Sequence, residues 1–365
     1  MLMKLISETK KIMTLRLKNI HLTNFGPLSE INWWPLGPIN LVIGGNDCGK
    51  TFLLKALYSS VRTLEAYKRG DEQRTTAEIL AEKLYWTFQP DQKKQIGDLV
   101  TKGINTKEQL SCTLQFDDHR FTYQFGKDTT KQITSLENQV PPRSSHSIFL
   151  PAQEVLSRQE IILESREKYS SFGFDDTYLD LARALRQSPK DDERDSRFEE
   201  SRKRLKTIMA GGKVEFDESS RRWQFKKGHQ KFSMGITAEG IKKMAILDLL
   251  IGNRYLDAHS IVFIDEPESA LHPVAISELI NIIWLLAKDD PQSKQPGLQF
   301  FLASHSYFVV KKLFLIAQEN NSSIPVLSAD NNQWQYSDLK EEIPENPIIN
   351  ESIRLYKEEV ELVLK

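Results

Sequence analysis

The order of apolar and polar residues predicts short buried strands that alternate with helices. Short, mainly apolar runs at 39–43, 261–264 and 299–303 are typical of strands covered on both faces of a sheet. Apolar residues recur at helical spacing over the segments 52–58, 240–256 and 273–287. Buried strands that alternate with helices favour a parallel α/β sheet.

Shorter segments predict further strands, most of them in the alternating pattern of antiparallel strands with one covered face. These segments are 15–22, 31–34, 111–116, 120–125, 147–150, 213–216 and 222–225. If 31–34 is a strand, Trp33 and Trp34 point to opposite faces, so we expect one of them in the core. We expect one domain over 1–365, with a helical and β-hairpin insertion at 62–145 and a helical arm at 155–210.

Composition places the chain among water-soluble proteins. The net charge of −1 argues neither for nor against a nucleic-acid partner, because a basic face can lie within a neutral total. No apolar run approaches the ~20 residues that span a bilayer, and residues 1–13 lack the apolar core of a signal peptide. Cys48 and Cys112 give neither a disulfide framework nor a zinc cluster, so we expect a cytoplasmic protein without membrane contact.

The first buried run leads into a glycine-rich loop with the pattern G-x-x-x-x-G-K-[ST], typical of phosphate-binding loops. The residues expected to bind a nucleotide are Gly44, Gly45, Asn46, Asp47, Cys48, Gly49, Lys50, Thr51 and Phe52. Lys50 would reach the β- and γ-phosphates, and the Thr51 hydroxyl would hold Mg²⁺. The alternative is a glycine turn between strand and helix that binds nothing.

The second buried run ends in two adjacent carboxylates, Asp265 and Glu266. A parallel strand delivers its last residues to the ligand-binding edge of the sheet, beside the loop that contains Lys50. Asp265 would orient Mg²⁺, and Glu266 would polarise the attacking water as a general base. The alternative is a strand that ends in a charged turn. The large segments between Lys50 and Asp265 must form an insertion, which residues 62–145 and 155–235 supply.

Linked motifs resemble those of ABC-type ATPases of the SMC, RecF and OLD group. Residues 265–273 look like the Walker B and D-loop segments, 302–306 like the switch-histidine segment, and 17–51 like the N-terminal strands and Walker A loop. The resemblance implies a P-loop ATPase with a mixed α/β sheet, an N-terminal antiparallel β-subdomain and an inserted helical arm. It also implies ATP and Mg²⁺ as cofactors.

The resemblance further assigns three residues that isolated patterns would leave open. His305 would contact the γ-phosphate, although a histidine after an apolar strand is more often structural. Gln153 would link Mg²⁺ to the helical arm, or be a plain polar residue at a strand end. Gly240 would contact the nucleotide of the opposite subunit in a head-to-tail dimer. Ala238 stands where the group usually has a serine, which puts the strength of that contact in doubt.

Within this group, the chain looks most like stand-alone ATPases of anti-phage defence, such as the Septu ATPase and OLD-like proteins without a Toprim domain. The segments 151–154 and 346–356, with the hairpin that begins at Gly211 and Gly212, carry this resemblance. Residues 306–365 are too few for a Toprim domain, so we expect any nuclease to be a separate chain. The expected partners are a second copy, in a homodimer or higher homo-oligomer, and a separate effector such as a nuclease, with DNA or tRNA as further candidates.

Three other functions fit less well: a DNA-repair ATPase of the RecF or SMC kind, a scaffold locked by ATP with little turnover, and a transporter subunit. The charged segment 186–206 bears on the first of them. One interpretation of this segment is a solvated helix face. The other is that residues 202–206, together with Arg221 and Arg222, contact the phosphate backbone of a nucleic acid.

Overall fold

A mixed six-stranded sheet organises the structure, a computed structural model that describes residues 15–90, 95–103, 109–187, 196–290, 295–330 and 333–364. The strands are β1 Leu17–Phe25, β2 Leu28–Trp33, β3 Ile39–Gly44, β4 Leu110–Phe116, β5 His119–Phe125, β6 Ser135–Asn138, β7 Ile148–Leu150, β8 Lys213–Asp217, β9 Arg222–Lys227, β10 Gln230–Ser233, β11 Ile261–Asp265, β12 Gln299–Ser304, β13 Pro325–Asp330 and β14 Gln333–Asp338. The helices are α1 Lys50–Ala66, α2 Thr76–Phe88, α3 Gln159–Glu167, α4 Asp176–Leu185, α5 Ser196–Ile208, α6 Glu239–Gly252, α7 Pro273–Ala287, α8 Tyr307–Asn320 and α9 Pro347–Val363.

The central sheet has the strand order β14-β13-β3-β12-β11-β7, and all neighbours from β13 to β7 run parallel. The edge strand β14 pairs antiparallel with β13. The predicted parallel α/β sheet is thus confirmed. The register sets Ile43 beside Ser304 and Ala303 beside Asp265, so β3, β12 and β11 end together at one edge of the sheet.

Two cores cover the two faces of this sheet, which explains why its inner strands β3, β12 and β11 are buried and mainly apolar. Leu41 and Ile43 of β3 lie in a core shared with helices α5 to α8, whereas Val42 faces a second core with α1. In the second core the Phe263 and Phe301 rings stack with centroids 5.3 Å apart. Such aromatic pairs contribute about 0.5–1.5 kcal/mol beyond their buried area.

A five-stranded antiparallel sheet of order β2-β1-β4-β5-β6 adjoins the second core. The hairpin β4–β5, expected within the insertion at 62–145, pairs with β1 and continues the N-terminal sheet. Trp33 is fully buried and Trp34 is 61% exposed, so the expectation that one of them is in the core is confirmed.

Helices α3, α4 and α5 occupy the described part of the segment predicted to be helical, and a three-stranded sheet β10-β9-β8 follows them. Its first two strands match the predicted hairpin. Trp223 of β9 is buried, and its indole N–H donates to Gln159 Oε1 at 2.7 Å, which joins the sheet to α3. Cys48 and Cys112 are both free thiols. None of the helices in the described ranges is long and apolar enough to cross a bilayer.

Candidate functional site

The glycine-rich loop connects the end of β3 to the start of α1. Gly49 caps α1 at a φ of +91°, and a Cβ added there would lie 2.9 Å from Leu28 Cδ2, so only glycine fits without displacing its neighbour. A Cβ added at Gly45 would meet open space, so this part of the loop can approach a ligand closely. Asp47 also has a positive φ, of 65°, and helps to curl the backbone.

The amino end of α1 is suited to an anion. The first intrahelical hydrogen bond runs from Leu53 N–H to the Gly49 carbonyl at 2.9 Å, and among the described residues no side chain caps this end of the helix. The first turn also lacks an acidic residue. Because the helix dipole adds partial positive charge at this end, the loop and the first turn together form a cradle for phosphate.

Lys50 places its ammonium group on this loop. Its Nζ donates to the carbonyl oxygens of Gly44 at 3.0 Å and Gly45 at 2.7 Å, and it lies 3.8 Å from Cys48 Sγ. The positive charge is therefore held inside the segment that the sequence predicts to bind phosphates, where it would neutralise phosphate charge.

Thr51 and Asp265 meet across the sheet edge. The Thr51 hydroxyl lies 2.9 Å from Asp265 Oδ2 and 3.1 Å from Oδ1. Burial raises the pKa of Asp265, the nearby charge of Glu266 raises it further, and the hydrogen bond from Thr51 acts in the opposite direction. A hydroxyl and a carboxylate at the end of a phosphate-binding loop are a donor set that fits Mg²⁺.

Glu266 follows β11 in a left-handed backbone conformation, with φ of 47°. Its N–H donates to the Ala303 carbonyl at 2.9 Å. A non-glycine residue in this region costs about 1–2 kcal/mol, so the surrounding contacts must hold it there. The Glu266 side chain is 38% exposed, and its Oε1 lies 3.5 Å from His305 Nδ1. The structure thus brings together the proposed base and the proposed switch histidine.

Glu268 is a residue of the site that the sequence analysis did not single out. Its side chain is only 8% exposed, and its Oε1 accepts hydrogen bonds from Ser304 Oγ at 2.9 Å and His305 N–H at 3.0 Å. It therefore fixes the end of β12 and the backbone of His305. The signal in the sequence was a third acid two positions after Glu266, within the segment that resembles a D-loop.

Lys243 was also missed. It projects from α6, and its ammonium donates to the carbonyl oxygen of Glu266. Burial lowers the pKa of Lys243 to about 8, although the charges of Glu268, Glu266 and Asp265 act in the opposite direction. A lysine within a helix carries no motif, so only the folded chain reveals its contact with the turn after β11.

Gln153 and Gly240 are less closely tied to this site. Gln153 is exposed after β7, and its amide oxygen accepts from Arg158 Nη1 at 2.8 Å; in the described part of the chain it has no hydrogen bond to Thr51 or Asp265. At Gly240, near the start of α6, an added Cβ would lie 2.9 Å from the Ala270 carbonyl oxygen. Close packing against its own chain therefore requires this glycine, and its contact with an opposite subunit stays a prediction.

Comparison with known proteins agrees with this arrangement. Residues 39–311 match the family described as "AAA domain, putative AbiEii toxin, Type IV TA system". No curated protein matches the chain. Among solved structures, the SmcHead bound to the C-winged helix domain of ScpA is similar, with 11% identity and a TM-score of 0.50, over 88% of this chain and 97% of that one.

Two other SMC heads are similar at lower scores. The SMC head domain from Thermotoga maritima has 12% identity and a TM-score of 0.45, over 89% of this chain and 99% of that one. The Smc head domain with an extended coiled coil bound to the C-terminal domain of ScpA, derived from Pyrococcus furiosus, has 9% identity and a TM-score of 0.46, over 94% of this chain and 98% of that one.

The chain has the fold of ABC-type P-loop ATPases. Because the matched residues make up well over half of its length, the chain belongs to the AAA-domain family described as a putative AbiEii toxin of a type IV toxin–antitoxin system.

Proposed function

We propose that the protein binds ATP with Mg²⁺ and hydrolyses it to ADP and phosphate. The observation that carries this proposal is the contact between the Thr51 hydroxyl and the Asp265 carboxylate, at 2.9 Å. Lys50 precedes Thr51 at the end of the loop, and Glu266 follows Asp265. The phosphate cradle, the metal ligands and the base thus come from the ends of two strands, β3 and β11, which both pair with β12 and end at one edge of the sheet.

In the proposed reaction the residues of this chain chiefly position and neutralise charge. The loop N–H groups and the α1 terminus bind the β- and γ-phosphates, and Lys50 neutralises part of their charge. Thr51 and Asp265 would hold Mg²⁺, which when bound withdraws charge from the phosphate oxygens. The Glu266 carboxylate accepts a proton from the attacking water, and His305 contacts the γ-phosphate from the neighbouring strand end.

Phosphate release from ATP tests this proposal. Purified protein should release phosphate only when Mg²⁺ is present, and neither Lys50→Ala nor Glu266→Gln protein should do so at a comparable rate. A wild-type rate equal to that of both variants would contradict the proposed activity.

We also infer that two subunits associate head to tail around ATP. Exposed apolar side chains follow or precede the proposed functional segments: Ile236 is 76% exposed before Gly240, Val274 is 68% exposed after 269–272, and Phe308 is 51% exposed after His305. Large apolar side chains that are exposed on a single chain are typical of a surface that another subunit covers, and this supports the proposed dimer. The mass of the Glu266→Gln variant, measured by light scattering with and without ATP, tests the inference, and a monomeric mass with ATP would contradict it.

For the biological role we propose a regulatory ATPase in bacterial anti-phage defence that controls a separate effector, such as a nuclease. The resemblance of segments 151–154 and 346–356 to stand-alone defence ATPases supports this role. The family description, which names a toxin–antitoxin system, is consistent with an ATPase that acts beside a separate component. Phage plating on cells that carry the gene with its neighbours tests it: protection should need both Lys50 and the neighbouring effector gene.

A second candidate, an ATPase coupled to duplex DNA, is favoured by one charged region. Residues 196–231 contain eleven Lys and Arg against five Asp and Glu, in a chain whose net charge is −1. Part of the basic segment considered above is already engaged, because Arg202 pairs with Asp248 at 2.8 Å and Arg204 with Glu200 at 2.9 Å. The exposed basic residues that remain are Lys203, Lys206, Arg221, Arg222, Lys227 and Lys231.

If this region binds DNA, duplex DNA should stimulate ATP hydrolysis. Binding should weaken steeply as salt rises, because each phosphate contact releases counterions. The double variant Arg221→Ala, Arg222→Ala should lose the stimulation and keep the rate without DNA. A wild-type rate that duplex DNA leaves unchanged would exclude this candidate.

A further inference from the structure

We propose that Lys243 is a positioning residue for ATP hydrolysis, which holds Glu266 in the backbone conformation that aims its carboxylate at the attacking water. This inference rests on the proposed function, because it assigns Lys243 a role through the proposed base. The observation that carries it is the hydrogen bond from the Lys243 ammonium to the carbonyl oxygen of Glu266.

Glu266 needs such support. It is a non-glycine residue with φ of 47°, and its peptide groups are held on both sides. On one side its N–H is bound by the Ala303 carbonyl at 2.9 Å, which is a contact between neighbouring strands. On the other side its carbonyl accepts two hydrogen bonds, one from the Ser269 N–H at 3.0 Å within the turn and one from Lys243, a side chain from α6. Without Lys243, only the bond from Ser269 holds the carbonyl, and the turn loses the single side-chain contact of this carbonyl that ties it to α6 among the described residues.

The contact leaves the carboxylate of Glu266 free for chemistry. Lys243 binds the backbone carbonyl, whereas the side chain of Glu266 is 38% exposed and lies 3.5 Å from His305 Nδ1. The ammonium also lies among the charges of Asp265, Glu266 and Glu268, so it reduces the mutual repulsion of three acids crowded at one turn. Lys243 thus acts on the base through the backbone, without contact to the reacting atoms.

Helix α6 contacts the turn after β11 at two points. Near its start, Gly240 packs so closely on the Ala270 carbonyl that an added Cβ would lie 2.9 Å away. One turn later Lys243 binds Glu266. Since Gly240 is the residue expected to face the nucleotide of an opposite subunit, α6 is a rigid link between that nucleotide and the base of its own chain.

The test compares steady-state hydrolysis by Lys243→Met, Lys243→Arg and Lys83→Met proteins with that of the wild type. Lys243→Met keeps the length of the side chain and removes the donor. Its kcat should fall about 10- to 100-fold with KM for ATP within about two-fold, because a base displaced by about 1 Å loses rate while the phosphate cradle is untouched. Lys243→Arg, which keeps a donor and the charge, should recover a large part of the rate.

Lys83→Met is the matched control, since it removes a similarly placed ammonium that pairs with Asp176 and Asp180 at 2.9 and 3.0 Å, away from Glu266. Its stability should fall while kcat stays within about two-fold of the wild type. A Lys243→Met protein with unchanged kcat, or one whose kcat falls no further than that of Lys83→Met, would overturn the inference.

A double-variant cycle separates positioning from a general structural role. If Lys243 acts through Glu266, Lys243→Met should not slow single-turnover hydrolysis any further in the Glu266→Gln background. An equal loss in both backgrounds would contradict the inference and leave the proposed ATPase activity standing. By contrast, a wild-type protein without ATP turnover would contradict both.

Discussion

The Thr51 hydroxyl and the Asp265 carboxylate lie within 2.9 Å of each other, although 214 positions separate them in the chain. The contact follows from the sheet, because β3 and β11 both pair with β12 and end at the same edge. Helices and hairpins inserted between the two residues leave this register intact. The order of the strands therefore builds the ligand-binding edge.

Lys50→Ala should abolish nucleotide binding or turnover. The Lys50 ammonium is held by the Gly44 and Gly45 carbonyls, and its loss removes the mobile positive charge of the phosphate cradle. We expect ATP affinity to fall at least about ten-fold, the cost of one charge-assisted contact. Titration with a fluorescent ATP analogue measures this.

Lys55→Met, on the same helix, is the matched control for that titration. Lys55 pairs with Asp175 at 2.6 Å, so its removal affects the contact of α1 with the arm and not the loop. Its affinity for the analogue should stay within about two-fold of the wild type, as expected for a partly exposed ion pair. Equal losses in the two variants would contradict a direct role of Lys50.

Asp265→Asn should separate stability from activity. Asp265 is a buried carboxylate whose charge is costly, and an amide can keep the hydrogen bond with Thr51. We expect the melting temperature without nucleotide to rise by about 2 °C, the effect of roughly 1 kcal/mol, while Mg²⁺-dependent hydrolysis is lost. A melting temperature below that of the wild type would indicate that the charge stabilises the fold.

Glu266→Gln should bind ATP and trap a closed dimer. The amide matches the carboxylate in shape but cannot accept the proton of the attacking water. Hydrolysis should fall about 100-fold or more, within the range that a general base contributes. Single-turnover hydrolysis and retention of radiolabelled ATP after gel filtration check the two parts, and an unchanged rate would remove the assignment of Glu266 as base.

The sequence was sufficient to predict the residues at the ligand-binding edge of the sheet, because these residues follow directly after apolar strands. Glycines, Lys50 and Thr51 come after β3, and Asp265 and Glu266 after β11, so the motif and the strand signal reinforce each other. Lys243 and Glu268 could not be found in this way. Their roles depend on which turn lies beside α6 and β12, and a single sequence does not encode that distance in any local pattern.

Some strands were also missed for local reasons. β10 is almost entirely exposed, so it has no apolar alternation to predict it. β14 is likewise mostly polar and depends on pairing with β13 at the sheet edge. Position in the sheet, rather than propensity, makes these segments strands.

Asp180→Ala should destabilise the contact between α1 and the arm and change its response to acid. Burial alone would raise the pKa of Asp180, but Lys83 and Arg62, with a hydrogen bond from Tyr58, hold the pKa well below its usual range. The ionised group therefore contributes stability that is present above about pH 5 and lost as the pH falls below about 4. Urea unfolding at pH 7 should show a loss of about 3–5 kcal/mol, as for other broken buried ion pairs.

The same unfolding curves measured between pH 3 and pH 7 provide the second check. The variant should lose less stability than the wild type over this interval, because it no longer has the carboxylate that must be protonated. Parallel curves for the two proteins would show that Asp180 does not carry the acid dependence. Asp117→Ala is a suitable control, since its ion pair with Lys18 is long, at 3.9 Å, and more exposed.

Glu268→Gln and Glu268→Ala should differ sharply in activity. The Glu268 Oε1 atom accepts hydrogen bonds from Ser304 Oγ and from the N–H of His305, and an amide oxygen can accept both. Alanine instead leaves these donors without a partner at the end of β12, so His305 is no longer held beside Glu266. We expect kcat to stay within about three-fold in Glu268→Gln and to fall about ten-fold or more in Glu268→Ala, with ATP affinity unchanged in both. If kcat falls equally in the two variants, the negative charge of Glu268 supports activity, rather than its hydrogen bonds. The carboxylate would then act on Lys243 or His305 by electrostatic attraction.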